Sequence, residues 1–495
     1  MAEFQKKCAL WMDGSLFFRG ILIFFNGLAA FFGESLIGRL FSADFDKEWL
    51  RHSYFVRVAE DILNRFPKVL RLDERGGKIP PLLQGSALMQ FLCEGMETPL
   101  RGGLLRWFAA SFPAWGLLGV VVLAPFLPTM LVAGMLLVVF VISLLRYDFR
   151  LDLVSVPLLL FIVVSLFSGI TSAAASYSVP IALLSVVMMS SYLLVRACFV
   201  GQRRIDFVIA AFVVAAGFTA LIAISQVYTS YADAAWVDRD LFAALQTRVY
   251  STFANPNVYG TYLLLAIPLS AVCVLYAKNL WYKLFAAGIS GLLLMAMALT
   301  YSRGGYVSLA VAVMVFLILV EKRLIVLFAA ALVALPFVLP AGIIARIASI
   351  VDFTDSSTVY RISIWQASLR MLGDFWMAGI GQGAEAYNSV YPFYAFSAVT
   401  AQHSHNLFLQ IFIETGLVGI LVFLGILACF FRTQFSFMRN CDDWRRRLLS
   451  AAMVSAVIAF LVQGMFDHNF HNYRVMLVFY LFLGIASVAA EEVRS

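Results

Sequence analysis

Residues 128–145 read PTMLVAGMLLVVFVISLL, a run of 18 residues without a charged side chain. A helix of about 20 apolar residues spans the roughly 30 Å hydrocarbon core of a bilayer, and runs of about 17–25 residues qualify. Similar runs follow one another almost without interruption from residue 110 to residue 490. We therefore predict an all-α, polytopic membrane protein.

The composition of the whole chain also indicates a membrane protein. Of its 495 residues, 62% are hydrophobic and 13% are charged, whereas an average soluble domain has roughly 45–50% apolar and about 25% charged residues. These proportions exclude an ordinary soluble globular protein. The formal net charge of +7 comes from short basic clusters between apolar runs, so we expect no nucleic-acid partner. The six cysteines are scattered without a CxxC pair, and we assign them no disulfide or metal role.

We predict twelve transmembrane helices within a membrane domain that covers residues 110–495. The spans are placed at 110–126, 128–145, 153–172, 179–199, 205–227, 259–277, 281–300, 304–320, 324–341, 406–431, 448–466 and 473–490. Residues 1–109 are predicted to form a polar, mostly helical region that is cytoplasmic or lies at the membrane surface. Its apolar stretch 15–33 contains Arg19 and Asn26, so we predict an interfacial helix or half of a hairpin there.

Lysine and arginine fall in every second connection between the predicted spans, and cytoplasmic loops carry this excess of basic residues. The residues concerned are Arg146, Arg150, Arg196, Arg203, Arg204, Lys278, Lys283, Lys322, Arg323, Arg432, Arg439, Arg445, Arg446 and Arg447. This pattern predicts that both termini are cytoplasmic. The connections 228–258, 300–304, 342–405 and 467–472 are then extracytoplasmic, and the longest of them lies before the tenth span. They hold four of the five histidines, the fifth being His52.

An arginine stands at the outer end of the eighth predicted span, in the sequence YSRGGY at 301–306. The guanidinium of Arg303 offers paired donors that suit a phosphate, and the two glycines let a ligand or another backbone approach closely. The alternative is an arginine that anchors the helix end at the interface without binding a ligand.

The external segment 342–405 is longer than a connection without a function usually is. We predict an amphipathic helix from Val359 to Leu372 within it. Arg361 and Arg370 lie on opposite faces of this helix because nine residues correspond to about 900° of rotation, so only one is expected to face a given cleft. The glycines 379, 381 and 383 predict a chain reversal.

Histidines and an aspartate occupy two further external positions. His405, in AQHSHN at 401–406, precedes the tenth span, where a neutral imidazole could accept a proton from a hydroxyl. A capping or interfacial histidine is the alternative. Two helical residues at the spacing of His403 and His405 diverge by about 200°, so we predict no shared metal, although a loop could bring the two side chains together. Asp467, in FDHNFHN at 466–472, could orient a histidine or bind a sugar hydroxyl, or belong to a polar turn.

The connection before the sixth span contains TFANPN at 252–257, which follows Arg248. Asn-Pro favours a turn, and we expect Asn257 to cap the helix. Arg248 is a candidate anion contact. The chain contains no HExxH motif, Walker motif or nucleophile elbow, so nucleotide-driven transport and soluble-protease chemistry are poorly supported.

Three of these motifs, which follow one another along the chain in the expected order, resemble the superfamily of O-antigen ligases and repeat-unit polymerases. His405-Asn406, nine further residues and GLVG at 416–419 resemble its His-Asn and Gly-x-x-Gly signature, and Gln410 and Glu414 continue the match. YSRGG at 301–305 and TFANPN at 252–257 are also similar. The resemblance covers about residues 110–490. It does not extend to the N-terminal 109 residues, which could contact other polysaccharide assembly proteins.

The resemblance implies an inverting, metal-independent membrane glycosyltransferase without cofactors. It would act in cell-surface polysaccharide or lipopolysaccharide synthesis at the bacterial cytoplasmic (inner) membrane. The donor would be a glycan on undecaprenyl pyrophosphate and the acceptor a glycan or glycolipid. His405 would act as the catalytic base, while Arg303 and Arg361 would bind the pyrophosphate. The substrate-binding residues would be Arg248, Asn257, Arg370, His403 and Asp467.

Three questions stay open at the level of sequence. A ligase and a polymerase would share these motifs, so the sequence does not separate them. A transporter would be expected to carry ionisable residues in mid-span and repeats of broken helices, and the predicted spans contain almost no such charges. A scaffold that only binds polysaccharide is the third alternative.

We also expect Gly416 and Gly419 to lie on one helix face and to allow a neighbouring helix to approach.

Overall fold

The computed structural model describes residues 53–65, 104–199, 202–229, 248–351, 356–396 and 399–491. These residues form sixteen α-helices and a few short 3-10 turns, and they contain no β-strand. The helices, numbered in chain order, are α1 Tyr54–Asn64, α2 Leu104–Leu123, α3 Thr129–Arg146, α4 Ser155–Thr171, α5 Ala175–Cys198, α6 Gln202–Thr229, α7 Pro256–Tyr276, α8 Leu280–Leu299, α9 Arg303–Glu321, α10 Ile325–Val338, α11 Ala341–Ala348, α12 Ser356–Phe375, α13 Ala384–Val390, α14 Leu407–Asn440, α15 Trp444–Gly464 and α16 Tyr473–Glu491.

The all-helical membrane architecture that the sequence predicts is confirmed. Eight described helices are long and apolar enough to cross a membrane, namely α3, α5, α6, α7, α8, α14, α15 and α16. The other four predicted spans coincide with α2, α4, α9 and α10. The count of twelve crossings therefore stays a prediction, although each predicted span has a helix at its position.

Little of the N-terminal region 1–109 lies within the described residues, and the stretch 15–33 lies outside them. The helix α1 belongs to this region and is attached to the connection between α3 and α4. Asn64 exchanges two hydrogen bonds with the backbone of Phe149, at 2.9 and 3.1 Å. Glu60 accepts a third from the backbone N–H of Leu151 at 2.9 Å. The division of the chain at residue 109 stays a prediction.

The centre of the bundle is formed by helices that are apolar on almost every side. α5 packs along α16, and both α7 and α9 pack against α15. Phe460 of α15 stacks on Phe479 of α16, with 4.5 Å between ring centroids. Helices that bury their whole circumference are expected to be apolar all round, as α7 and α16 are. This packing fixes the helix ends, and with them the connections that carry polar side chains.

Alternate connections meet at one end of the bundle through backbone-directed hydrogen bonds. Arg474, at the start of α16, donates to the carbonyls of Pro125 and Thr252 at 3.0 and 2.9 Å. Ser172, just after α4, donates to the carbonyl of Ile380 at 2.8 Å. Val249 donates to the carbonyl of Leu299 at 3.2 Å. The segment between α10 and α14 is thus anchored to the same end as the connections before α5, α7, α9 and α16.

The helix α14 is interrupted at Gly416, where the backbone has φ 68° and ψ −170°. The chain reversal after α12 fits into this interruption, because Leu417 donates to the carbonyl of Trp376 at 2.8 Å and Ile380 donates to that of Ile413 at 2.8 Å. Our prediction of Gly416 and Gly419 on one face of a regular helix was therefore wrong. Gly416 admits the backbone of the preceding segment rather than a neighbouring helix.

Replacing Gly416 with alanine is expected to destabilise the protein by more than about 1–3 kcal/mol, because φ 68° with ψ −170° is a backbone region that only glycine adopts readily and the added Cβ atom also has no room. A Cβ atom at this position would lie 2.1 Å from the carbonyl oxygen of Met377. Gly291→Ala is the matched control, because Gly291 lies within α8 and an added Cβ meets no atom within 4 Å. The midpoint of thermal unfolding of the detergent-purified proteins is the measurement. Equal midpoints for the two variants would contradict the assigned backbone.

Candidate functional site

The connections at this end of the bundle contain backbone conformations that non-glycine residues rarely adopt. Four non-glycine residues among those described have a positive φ: Ser251, Ala254, Tyr301 and His405, with φ between 48° and 60°. All four belong to or adjoin the three motifs TFANPN, YSRGG and His-Asn. Such backbone persists where the surrounding structure holds it, and it concentrates at active sites and ligand-binding loops. These connections are therefore candidates for a functional site.

His405 is placed at this site by the cap of α14. The side chain of Asn406 accepts a hydrogen bond from the backbone N–H of Leu409 at 3.0 Å, so Asn406 is the N-cap and α14 begins at Leu407, two residues after His405. Asn406 also donates to the carbonyl of Met465 at 3.0 Å. Because Met465 directly follows α15, this bond brings the loop before α14 against the connection that carries Asp467.

His405 and Asp467 form a hydrogen-bonded pair in which Nδ1 lies 3.2 Å from Oδ1. Burial raises the pKa of Asp467, but the hydrogen bond from His405 and the charges of His405, His403 and Arg361 outweigh it and hold that pKa well below its usual range. The carboxylate is therefore ionised and accepts the Nδ1 proton. The other ring nitrogen, Nε2, is then the one that can accept a proton from a substrate.

A chain of buried side chains holds the backbone before His405. Ser404 donates its backbone N–H to Gln410 at 2.7 Å, and Gln410 donates to Glu414 at 2.9 Å. The same oxygen of Glu414 accepts the backbone N–H of Gly383 at 3.2 Å. In the sequence, only their place in the family motif singles out Gln410 and Glu414. The structure shows that they connect the His405 loop to the glycine-rich reversal.

Arg303, at the first position of α9, faces the segment that leads into α12. It donates to the carbonyl of Ser349 at 3.0 Å and to the hydroxyls of Ser357 and Thr358. Arg361 lies one turn further along α12, and its charge acts on both Asp467 and His403. Arg303 and the histidine motif thus both lie beside the first turns of α12.

Two more arginines belong to the same positive cluster. Arg248 is buried and donates to the carbonyl of Thr300 at 2.9 Å and to the side chain of Asn257 at 3.1 Å. Burial, together with the charges of Arg346, Arg361 and Arg303, lowers the pKa of Arg248 to about 9 although Tyr306 acts in the opposite direction. Cations held this close favour an anionic ligand, because its charge relieves their mutual repulsion.

Arg346 was not recognised from the sequence, where it belongs to an apolar stretch without a motif. The structure places it at the end of α11, from which Nε donates to the carbonyl of Tyr301 at 3.2 Å. Asn257 was expected to cap α7, and this was wrong. Asn255 is the cap, since its side chain accepts the backbone N–H groups of Asn257 and Val258. Asn257 instead supports Arg248.

Three of the histidines surround His403. Its ring centroid lies 4.1 Å from that of His405, 4.8 Å from His471 and 5.6 Å from His468. Burial, followed by the charge of His405, lowers the pKa of His403 to about 3, so its ring is neutral near pH 7. Of the two arrangements that the sequence leaves open for His403 and His405, a diverging helical pair and a converging loop, the structure has the loop. They converge because residues 403–405 are not helical and the backbone N–H of His405 donates to His403 Nδ1 at 3.2 Å.

Arg370 is the one predicted site residue that the structure does not bring into this group. Its guanidinium lies over the ring of Phe396, 4.0 Å from the centroid, and the residue is exposed. The opposite faces predicted for Arg361 and Arg370 account for this separation. A role of Arg370 in substrate binding stays a prediction.

Comparison with known protein families supports the resemblance seen in the motifs. Residues 288–424 match a family model described as O-antigen ligase. The matched range includes Arg303, Arg361, His403 and His405, whereas Arg248 and Asp467 lie outside it. No curated protein matches the chain.

Proposed function

We propose that this chain, whose residues 288–424 match the O-antigen ligase family, transfers a glycan from undecaprenyl pyrophosphate to a sugar hydroxyl outside the cytoplasmic membrane. The match supports glycosyl transfer in polysaccharide biosynthesis by a membrane-embedded enzyme. The observation that carries the finer proposal is the His405–Asp467 pair, 3.2 Å apart, beside a cluster of arginines. The histidine of the pair can remove a proton, and the arginines can bind a phosphate.

In the first part of the proposed reaction, His405 and Asp467 activate the acceptor hydroxyl. The acceptor hydroxyl gives its proton to His405 Nε2 while its oxygen attacks the anomeric carbon of the donor sugar. Asp467 accepts the Nδ1 proton, holds the imidazole in one orientation and stabilises its positive charge after the transfer. Attack from the face opposite the leaving group inverts the anomeric centre.

The second part of the reaction is departure of the pyrophosphate. As the bond between the anomeric carbon and the phosphate oxygen breaks, its electron pair passes to undecaprenyl pyrophosphate. Arg303 and Arg361 are proposed to stabilise this negative charge, and Arg248 and Arg346 to add to the positive potential around it. Pyrophosphate held by guanidinium groups is a sufficient leaving group, so the proposal requires no metal ion or nucleotide.

The arrangement of charges supports an extracytoplasmic site. The basic connections predicted to be cytoplasmic follow α3, α5, α7, α9 and α14, while the site is built from the connections between them. The apolar bundle beside the site would accommodate the lipid tail of the donor. Placement in a bacterial cytoplasmic (inner) membrane, with both termini cytoplasmic, is part of the proposal.

A strain from which the gene has been deleted tests the function and separates ligase from polymerase. If the chain is a ligase, the strain should accumulate long glycan chains on undecaprenyl pyrophosphate. If it is a polymerase, the strain should retain single repeat units on the lipid acceptor. Gel analysis of surface glycan and of the lipid-linked pool, with the wild-type gene restored as the control, distinguishes these results. Unchanged glycan in both pools would overturn the proposed function and leave transport or scaffolding of another substrate.

A further inference from the structure

His403, His405 and Asp467 place metal-ligating atoms together at the centre of the site. One nitrogen of each imidazole and one carboxylate oxygen all lie within 4.8 Å of one another. A tetrahedral zinc ion with bonds of about 2.0–2.1 Å would hold such atoms roughly 3.4 Å apart. The distance of 3.2 Å between His405 Nδ1 and Asp467 Oδ1 is already close to this separation. Bringing ligand atoms that lie up to 4.8 Å apart to this separation would take a side-chain movement of at most about 1.4 Å.

A second observation comes from the histidine beside this group. Nδ1 of His468 is buried and has no hydrogen-bond partner among the described residues. The ring of His468 lies 5.6 Å from that of His403. Buried polar atoms are satisfied in most structures, and one without a partner is expected where a water molecule or an ion completes the site.

The chemistry of the donor atoms selects the ion. Two imidazole nitrogens and one carboxylate oxygen suit zinc and similar transition metals, whereas magnesium and calcium prefer sets made of oxygen alone. We propose that His403, His405 and Asp467 bind a divalent transition-metal ion such as Zn²⁺, and that the ion inhibits glycan transfer. The binding stands on the geometry alone, whereas the inhibition rests on the proposed function of His405 as the base.

Inhibition follows whichever nitrogen of His405 takes the ion. An ion on Nε2 occupies the lone pair that would accept the proton of the acceptor hydroxyl. An ion on Nδ1 leaves the single proton of the neutral ring on Nε2, which then cannot accept another. In both cases Asp467 becomes a ligand and no longer orients the free imidazole.

Calorimetric titration of the full chain in detergent with ZnCl₂ tests the binding. The protein must be purified without a histidine tag. We expect one ion for each chain, and a loss of affinity of more than about tenfold in His403→Ala and in Asp467→Asn, since losing even an outer partner of a ligand typically costs about 10–100-fold. His403→Gln, which can still accept the N–H of His405, covers the case in which the alanine variant does not fold.

His471→Ala is the matched control, because its ring lies 4.8 Å from that of His403 but His471 is not among the three converging groups. Its affinity for Zn²⁺ should change by less than about twofold. Absence of zinc binding by the wild type, wild-type affinity in both His403→Gln and Asp467→Asn, or an equal loss in His471→Ala would overturn the assigned site.

A transfer assay with and without Zn²⁺ tests the inhibition separately. We expect transfer to fall as the calorimetric site fills and to recover when EDTA is added. Unchanged or increased transfer by the zinc-loaded protein would overturn the inhibition. Absence of transfer by metal-free protein would count against the proposed function instead, while the calorimetric result would still decide whether the site exists.

Discussion

Replacement of His405 by alanine is expected to reduce glycan transfer by about 10²–10⁴-fold, the contribution that a positioned general base usually makes. The Nδ1 of His405 lies 3.2 Å from an ionised carboxylate, so the opposite nitrogen is presented for proton transfer. Asp467→Asn should also reduce transfer strongly, because an amide neither stabilises the imidazolium nor requires the same tautomer. Transfer by purified protein from a lipid-linked donor is the measurement.

The double variant distinguishes a working pair from two independent residues. If His405 and Asp467 act as one unit, losing both should cost little more than losing His405 alone. His52→Ala is the matched control, since it changes the histidine of the N-terminal region, and its transfer should equal that of the wild type. Wild-type transfer by a correctly inserted His405→Ala protein would remove the base from the mechanism.

Replacement of Arg303 by alanine is the second large effect, with an expected loss of about 10²–10³-fold, as for one donor that stabilises developing negative charge. Arg303→Lys should recover part of this loss, because it keeps the positive charge but not the paired donors. The effect should appear mainly in the rate at saturating donor if the interaction strengthens as the pyrophosphate leaves.

Two further variants separate the charge of Arg303 from its structural contacts. Ser357→Ala removes a hydroxyl that accepts from Arg303 and leaves the guanidinium in place, so its effect should be small. Arg323→Ala removes an arginine from the turn that follows α9, at the opposite end of that helix, and should not affect transfer. If Arg303→Ala retained full activity, or if Ser357→Ala were equally damaging, the proposed role in charge stabilisation would be wrong.

Much of the fold could be predicted because lipid as a solvent imposes a simple condition on sequence. Each spanning helix must be apolar over its length, so the runs that begin near 110 and end near 490 locate a helix each. The helix over Val359 to Leu372 was predicted from its pattern and observed within α12, Ser356–Phe375. Residues far apart in sequence could be assigned to one end of the bundle because connections alternate between its ends.

The arrangement within the site could not be predicted in the same way. The convergence of His403 and His405 depends on a positive φ of 50° at a non-glycine residue, which no pattern in the sequence indicates. Arg346 joins the arginine cluster because α11 is positioned over Tyr301. Asn255 rather than Asn257 caps α7, a difference of two residues that the Asn-Pro-Asn sequence leaves open.

The sequence by itself determined the long apolar helices and the residue types available in the connections between them, because the length of a hydrophobic run is a local property. Only the tertiary structure decided which polar side chains touch. The interruption at Gly416 admits the backbone after α12, and the cap at Asn406 binds the end of α15. These contacts between distant segments set the distance between His405 and Asp467. A hydrogen bond forms only within a narrow range of distances, and a local sequence pattern does not specify the distance between residues far apart in the chain.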